Sequence, residues 1–397
     1  MKKIFTTGLL TLLPLAITIY VFYLVFNFLD NLVGDLIVYR RLEPADPRLP
    51  GLDVVAPAVG LPPGVVPRKS EPAYAEVIVH LLRSARALDA PGAALARLIF
   101  IGDTRLNDGT AFANLAQVGG WPGLAVIVAE RDEPPHVERV CEDDRTLYLA
   151  NRWALLGELA GFCRAEGLAV DERTAVVIDL DKTALGARGR NDRLIDQARV
   201  EAVRRTVGGL LGDEFDEPAF RAAYDRLNQP AFHPFTADNQ DYLAYICLIL
   251  GTGLLDLPRL LARLTAGELT SFGQFIDEVD GRLTALSPAL QVIHRQIYDH
   301  VRAGDPTPFK DFRRHEYRAT VERMGALPDD APAAELLAGE ITLTQEVRAA
   351  ADWLRGEGAL LFALSDKPDE ASQPPAELAA AGWQPIHRTT THAVGGQ

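Results

Sequence analysis

Ala175-Val176-Val177-Ile178-Asp179-Leu180-Asp181-Lys182-Thr183 is the stretch that decides the fold. Four apolar residues, mostly β-branched, run directly into two carboxylates spaced i, i+2. The run is too short for a helix and predicts a strand buried on both faces, as in a parallel sheet. Parallel sheets carry their chemistry just beyond the carboxyl ends of their strands, where Asp179 and Asp181 fall. If extended backbone continues for two residues, both carboxylates share the strand tip and Leu180 turns away between them. Two acids this close repel unless a cation or a shared proton intervenes. Such a pair suits one nucleophile, one proton carrier and a bound Mg²⁺; the alternative is a strand end followed by an ordinary acidic loop.

Three further segments have the same form. Leu98-Ile99-Phe100-Ile101 leads into Gly102-Asp103 and on to Asp108, so aspartates again follow a short buried strand. Residues 124–128 form a third strand, and residues 359–364 form a fourth that ends at Ser365-Asp366-Lys367. Lys69 immediately precedes a helical pattern with apolar residues at Ala75, Val77, Ile78, Leu81 and Leu82. One helix is expected from Thr146 to Glu166, ended by Gly167, and one more strand over residues 382–387.

The chain has 397 residues, enough for two or three domains, and a formal charge of −14. It has no basic stripe, so a nucleic-acid partner is not expected. Cys141, Cys163 and Cys247 lack metal-ligand or disulfide spacing and read as buried thiols. Residues 4–29 carry no charge and as a helix would span roughly 39 Å, which predicts a single-pass membrane anchor. A cleavable signal peptide is the rival reading, with a shorter apolar core and a small-residue cleavage site. Lys2 and Lys3 on one side and Arg40, Arg41 and Arg48 on the other leave the orientation open, with a cytoplasmic catalytic domain favoured. The proline- and glycine-rich stretch that follows reads as a linker.

Residues 187–344 read as a long, mainly helical insertion. Its polar stretch from His233 through Asp238 and Asn239, and the basic cluster Arg313-Arg314-His315, either line a substrate pocket or serve as helix caps and solvated faces. Tyr245 to Leu254 is about half a membrane span and reads as a buried helix.

Asp179-Leu180-Asp181-Lys182-Thr183 resembles the DxDxT signature of the haloacid dehalogenase (HAD)-like superfamily of aspartate-nucleophile phosphohydrolases. Ser365 matches that family's Ser/Thr motif, Lys69 its phosphate-binding lysine and Asp103 with Asp108 its acidic Mg²⁺ motif, with Lys367 a rival for the lysine. The motifs run here in the order Lys69, Asp103, Asp179, Ser365, which a circular permutation explains. Residues 8–30 also resemble the first span of a family of two-span bacterial membrane proteins of unknown function.

The resemblance implies an α/β fold: a three-layer, Rossmann-like parallel-sheet core of HAD type, with an inserted helical cap and an N-terminal transmembrane helix. The divisions expected are an anchor at 1–35, a linker at 36–65, core segments at 66–186 and 345–397, and a cap at 187–344. The strand at residues 175–178 should lie between 98–101 and 359–364, with 124–128 outside 98–101. The implied activity is Mg²⁺-dependent hydrolysis of a small phosphorylated metabolite through an aspartyl-phosphate. Asp179 would be the nucleophile and Asp181 the acid/base, favouring phosphoryl transfer because the family's dehalogenases lack the second acid. Ser365, Lys69 and Thr183 would bind phosphate, and Asp179, Asp181, Asp103 and Asp108 the metal. His233, Asp238, Asn239 and Arg314 are the expected substrate contacts. The competing expectation is a catalytically degenerate scaffold or a membrane-associated protein of non-enzymatic function.

Overall fold

The computed structural model describes residues 34–142 and 145–396. They divide into two compact units, one of residues up to Ile195 with Val321–Ser372 and Gly382–Gln397, the other of Asp196–Thr320 with Gln373–Ala381.

The first unit is mixed α/β. Its strands are β1 (Ile37–Val38), β2 (Arg97–Gly102), β3 (Gly123–Val128), β4 (Val137–Glu142), β5 (Arg145–Ala150), β6 (Thr174–Asp179), β7 (Leu343–Thr344), β8 (Leu360–Leu364) and β9 (Ala393–Val394). Among the described residues the central sheet has the order β1-β8-β6-β2-β3-β5-β4. Every neighbouring pair is parallel except β4–β5. The order of the four expected strands, β8-β6-β2-β3, is the one the resemblance implies. All six residues of β6 are buried, as a central strand covered on both faces requires.

Leu98, Phe100, Val177 and Phe362 point into one apolar layer together with Ile78, Leu81 and Leu82 of α1 (Pro72–Asp89) and Phe112 and Leu115 of α2 (Asn107–Gly119). The alternate residues Ile99, Ile101, Val176 and Ile178 face the opposite way and are buried too. Further along the chain α3 (Leu159–Ala165) follows a 3₁₀ turn at Trp153–Glu158. Gly167 ends this segment at φ 62°, a left-handed conformation that glycine adopts without strain.

Several expectations are corrected here. Residues 36–65 are not a linker: Val38, Leu42, Leu49, Leu52 and Val55 are buried in the same apolar layer, and β1 pairs with β8 at the sheet edge. Residues 146–166 are not one helix. Their first part is β5, which pairs antiparallel with β4 before the 3₁₀ turn and α3 begin. The strand expected at 382–387 is a 3₁₀ turn at Ile386–Arg388 followed by β9, which pairs with β7 in a small second sheet. The helical insertion occupies Asp196–Thr320 rather than 187–344. No helix among the described residues is long and apolar enough to cross a membrane; the apolar run at 4–29 lies outside them.

Glu166 locks the β4–β5 hairpin to α3. Its carboxylate accepts hydrogen bonds from Arg139 Nε (2.7 Å), Tyr148 Oη (2.6 Å) and Thr146 Oγ1 (3.0 Å). The Arg139 hydrogen bond leads in holding the Glu166 carboxyl down, from its ordinary value near 4.5 to about 2. A depressed acid stabilises the fold above its unfolded value, and that contribution is lost as pH falls through the folded one. Glu166→Gln is therefore expected to lower the unfolding midpoint near neutral pH, and the deficit should close as pH falls from about 4.5 toward 2. Thermal melts across that range check it.

The second unit is helical. It contains most of α4 (Arg193–Leu211), then α5 (Glu217–Leu227), α6 (Gln240–Gly251), α7 (Leu257–Thr265), α8 (Phe272–Asp280), α9 (Pro288–Arg302) and nearly all of α10 (Lys310–Val321). Asp216, Asp256, Ser271 and Ser287 cap α5, α7, α8 and α9 by accepting from backbone N–H groups of the first turn. The expected apolar helix is α6; Leu243, Tyr245, Ile246, Leu248 and Ile249 are buried in this unit's core with Phe272, Phe275 and Ile276.

Candidate functional site

The acids converge because three strand ends are adjacent. Asp179 is the last residue of β6 and sits opposite Leu364, so Ser365 follows at the neighbouring tip. Ile101 sits opposite Ile178, so Gly102 and Asp103 leave β2 on the other side. Beyond Asp179 the chain turns sharply: Ala184 N donates to Asp179 O (3.2 Å) and Leu185 N to Leu180 O (2.9 Å), with Lys182 at φ 65°.

Asp108 lies in the first turn of α2 and is anchored from four directions. Its Oδ2 accepts from Asp103 N (2.9 Å), Thr104 N (2.8 Å) and Thr104 Oγ1 (3.0 Å), and its Oδ1 from Lys69 Nζ (2.6 Å). Gly102 permits this approach, since a Cβ there would meet the Asp108 Cβ at 2.6 Å. The Lys69 ammonium also donates to Asp179 Oδ1 at 2.5 Å and lies 5.6 Å from the centre of the Phe100 ring. Lys69 precedes α1, so the helix start delivers it to the sheet edge. Lys69, Asp108 and Asp179 are all buried. Asp103 is buried as well and accepts from Arg188 Nε at its Oδ2.

The electrostatics follow from burial. Burial pushes the Asp179 carboxyl well above the usual range, with Asp108 and Asp103 adding to it against the pull of Lys69. Burial likewise raises Asp103 to about 7, with Asp108 adding and Arg188 opposing. Burial pushes Asp108 up too, but the adjacent Lys69 outweighs it and holds the carboxyl below the usual range. Burial would lower Lys69, but Asp179 and Asp108 outweigh it and raise it well above its ordinary value. Crowding of Asp103, Asp108 and Asp179 therefore makes it costly to ionise all three together.

Oxygen atoms of Asp103, Asp108 and Asp179 lie within 4.8 Å of one another, close enough to share one metal ion. A buried, all-carboxylate donor set fits a hard divalent cation such as Mg²⁺. Asp181 is not one of these three; its Oδ2 lies 3.8 Å from Lys367 Nζ, with the Asp181 side chain 26% exposed. The two lysines therefore divide their work: Lys69 reaches Asp179 and Lys367 reaches Asp181.

Ser365 is buried, and its Oγ accepts from Lys367 N at 3.0 Å. Residues once read as linker hold this loop, through Ser365 N to Val38 O (3.1 Å), Arg40 N to Lys367 O (3.1 Å) and Arg41 N to Asp369 Oδ2 (2.9 Å). Thr183 is fully buried; its carbonyl accepts from Thr344 Oγ1 at 2.5 Å, and its own hydroxyl has no hydrogen-bond partner among the described residues.

The expected substrate contacts, His233, Asp238, Asn239 and Arg314, belong to the helical unit. His233 Nε2 faces Asp238 Oδ1 at 3.4 Å, and Asn239 caps α6 through Asp241 N. Arg314 pairs with Asp311 (3.0 Å) and borders an open groove of about 400 Å³ beside Thr206, His315 and Arg318.

Two residues of the first unit are new. Arg188 reaches Asp103 across 85 sequence positions, a separation that leaves no motif. Tyr74, in the first turn of α1, is buried with its hydroxyl unpartnered, and only its position just after Lys69 hints at the site. Comparisons with protein-family models, with curated proteins and with solved structures each found no match.

Proposed function

We propose that this chain is a divalent-cation-dependent phosphate-ester hydrolase. In this reading it is a circularly permuted relative of the HAD-like superfamily acting on a small phosphorylated metabolite. One observation carries the proposal: Asp179, at the tip of the central strand, shares Lys69 with Asp108 inside a buried acidic cluster, with Asp181 two residues away and more exposed. A merely structural acid is not expected to be buried beside two others. The β8-β6-β2-β3 order supports the permuted arrangement.

Asp179 attacks phosphorus with a carboxylate oxygen, forming an aspartyl-phosphate as the bond to the leaving oxygen breaks. Lys69 fixes the carboxylate by holding its Oδ1 and adds positive charge beside the incoming phosphoryl group. Asp181 donates a proton to the leaving oxygen, then takes one from the water that hydrolyses the intermediate. The Ser365 hydroxyl, at the tip of the neighbouring strand β8, donates to a phosphoryl oxygen. Asp103, Asp108 and Asp179 would hold Mg²⁺, which would further neutralise phosphoryl charge. The uncharged run at 4–29 extends the proposal to a membrane-tethered enzyme.

The test is hydrolysis of an aryl phosphate and of a panel of phosphorylated metabolites by the full-length chain. Turnover that appears with Mg²⁺ and vanishes with a chelator is expected. Absence of turnover on every substrate at saturating Mg²⁺, from folded protein, would remove the proposal.

A further inference from the structure

Arg188 stands where a second cation is expected. Its main chain is pinned: Arg188 N donates to Lys182 O (2.8 Å), while Glu130 N (3.0 Å) and Trp153 Nε1 (3.1 Å) both donate to Arg188 O. Gly189 next to it, at φ 78°, lies so close to Glu130 that a Cβ would come 2.0 Å from Glu130 O. The backbone at this point therefore has one position. The side chain is different in kind: it is 35% exposed, whereas the Asp103 side chain that it grips is 6% exposed. A long, partly solvated arm on a fixed base reaches into a buried acid. The other charges that face it are Asp192 and Asp108.

Asp103 is also one of the three carboxylates placed to share a metal ion. A side-chain cation and a divalent cation on one buried carboxylate repel each other; Lys69 at Asp179 is 4% exposed and has nowhere to go, whereas Arg188 at Asp103 is 35% exposed and can swing into solvent. Arg188 and a metal ion cannot both be held on Asp103 at full strength. Asp103 in turn is costly to bury alone, so one cation must replace the other rather than leave a gap.

We propose that Arg188 is an exchangeable counter-ion. It occupies Asp103 until a divalent cation takes that carboxylate, and the released guanidinium then binds an oxygen of the substrate's phosphoryl group. The inference rests on the phosphohydrolase reading of the same site. The planar fork of arginine suits phosphoryl oxygens, and the pinned backbone keeps the freed arm at the site's mouth. Metal binding and substrate binding are then coupled through one side chain. The apparent metal affinity is reduced by the fraction of molecules in which Arg188 holds Asp103.

The experiment measures binding and needs no turnover. Full-length wild type, Arg188→Ala, Arg188→Lys and Asp103→Asn are titrated calorimetrically with Mg²⁺ alone, then with inorganic phosphate at saturating Mg²⁺. Arg188→Ala is expected to bind Mg²⁺ about tenfold more tightly, the scale on which residues around a metal site change its affinity. The same variant should bind phosphate about tenfold more weakly, the scale of one hydrogen bond to a charged group. Arg188→Lys should fall between in both. Opposite signs are the signature, since a structural defect would weaken both ligands together.

Unchanged or weaker Mg²⁺ binding by Arg188→Ala overturns the exchange. So does unchanged phosphate binding. Asp103→Asn separates the two readings: if it loses Mg²⁺ binding while Arg188→Ala behaves as wild type, the metal site stands and only the role of Arg188 falls. If Asp103→Asn binds Mg²⁺ as wild type does, or if no variant binds it, the metal site and this proposal fall together.

Discussion

Asp179→Asn is expected to lower turnover of an aryl phosphate by about 10⁴- to 10⁶-fold, the scale seen when a catalytic nucleophile is removed. The substitution keeps the shape of the side chain and removes only its nucleophilic oxygen. Lys69 keeps its 2.6 Å contact with Asp108, so the local arrangement retains an anchor. β6 is held by pairing with both β2 and β8, and its other residues are buried apolar side chains and Thr174. The fold therefore does not depend on the Asp179 charge, and the unfolding midpoint should stay close to wild type. Steady-state rates together with thermal melts check both halves. A variant that hydrolyses at the wild-type rate with saturating Mg²⁺ has another nucleophile.

Arg313→Ala is expected to cost about 3–5 kcal/mol in the helical unit, because it strands buried charge. Arg313 lies inside this unit and donates through Nε to Asp241 Oδ2 (2.7 Å) and through Nη1 to Glu316 Oε2 (2.6 Å). Asp241 and Glu316 are almost wholly buried. Without the Arg313 guanidinium Glu316 keeps the Arg199 guanidinium (3.2 Å), but Asp241 is left with the neutral Phe309 N (2.9 Å), which does not replace a counter-charge. The four tryptophans, Trp121, Trp153, Trp353 and Trp383, all belong to the first unit. Urea unfolding followed by far-ultraviolet circular dichroism should therefore shift to lower denaturant in part of its amplitude, while the tryptophan fluorescence transition moves little. Equal shifts in both signals would mean that the two units unfold together.

What the sequence makes legible is what local patterning encodes. β2, β3, β6 and β8 are continuous apolar runs ending in polar residues, and a strand buried on both faces has that form. Asp103, Asp108 and Asp179 follow short buried strands and stand out for that reason, whereas Lys69 joins them only through the motif resemblance. β1 could not be foreseen: it has two residues, and its place is set by pairing with β8, more than 300 positions away. The β4–β5 hairpin was hidden for another reason. Val137-Glu138-Arg139-Val140-Cys141-Glu142 mixes charge with apolar residues at no clean period, and β5 runs without a breaker into the 3₁₀ turn and α3. One helix was the simplest account of that stretch until pairing with β3 drew its first part into the sheet.

At the site, the choice between Lys69 and Lys367 depended on reach. Each lies beside a strand tip, and only the packing of α1 brings Lys69 to Asp179 while Lys367 meets Asp181. Arg188 depended on a turn whose geometry is fixed by Glu130 and Trp153, both distant in sequence. Contacts of that kind are tertiary, and no periodicity announces them.

The most direct measurement of the central claim is the identity of the phosphorylated residue during turnover. Asp181→Asn mixed with an aryl phosphate and Mg²⁺ should release one equivalent of the phenol quickly, since that leaving group needs no acid, and then stall for want of a base. Acid quenching at the stall, followed by proteolysis and mass spectrometry, is expected to find one phosphoryl group on Asp179. Repeated turnover at the wild-type rate with Asp179 unmodified, or the phosphoryl group on any other residue, would contradict the account.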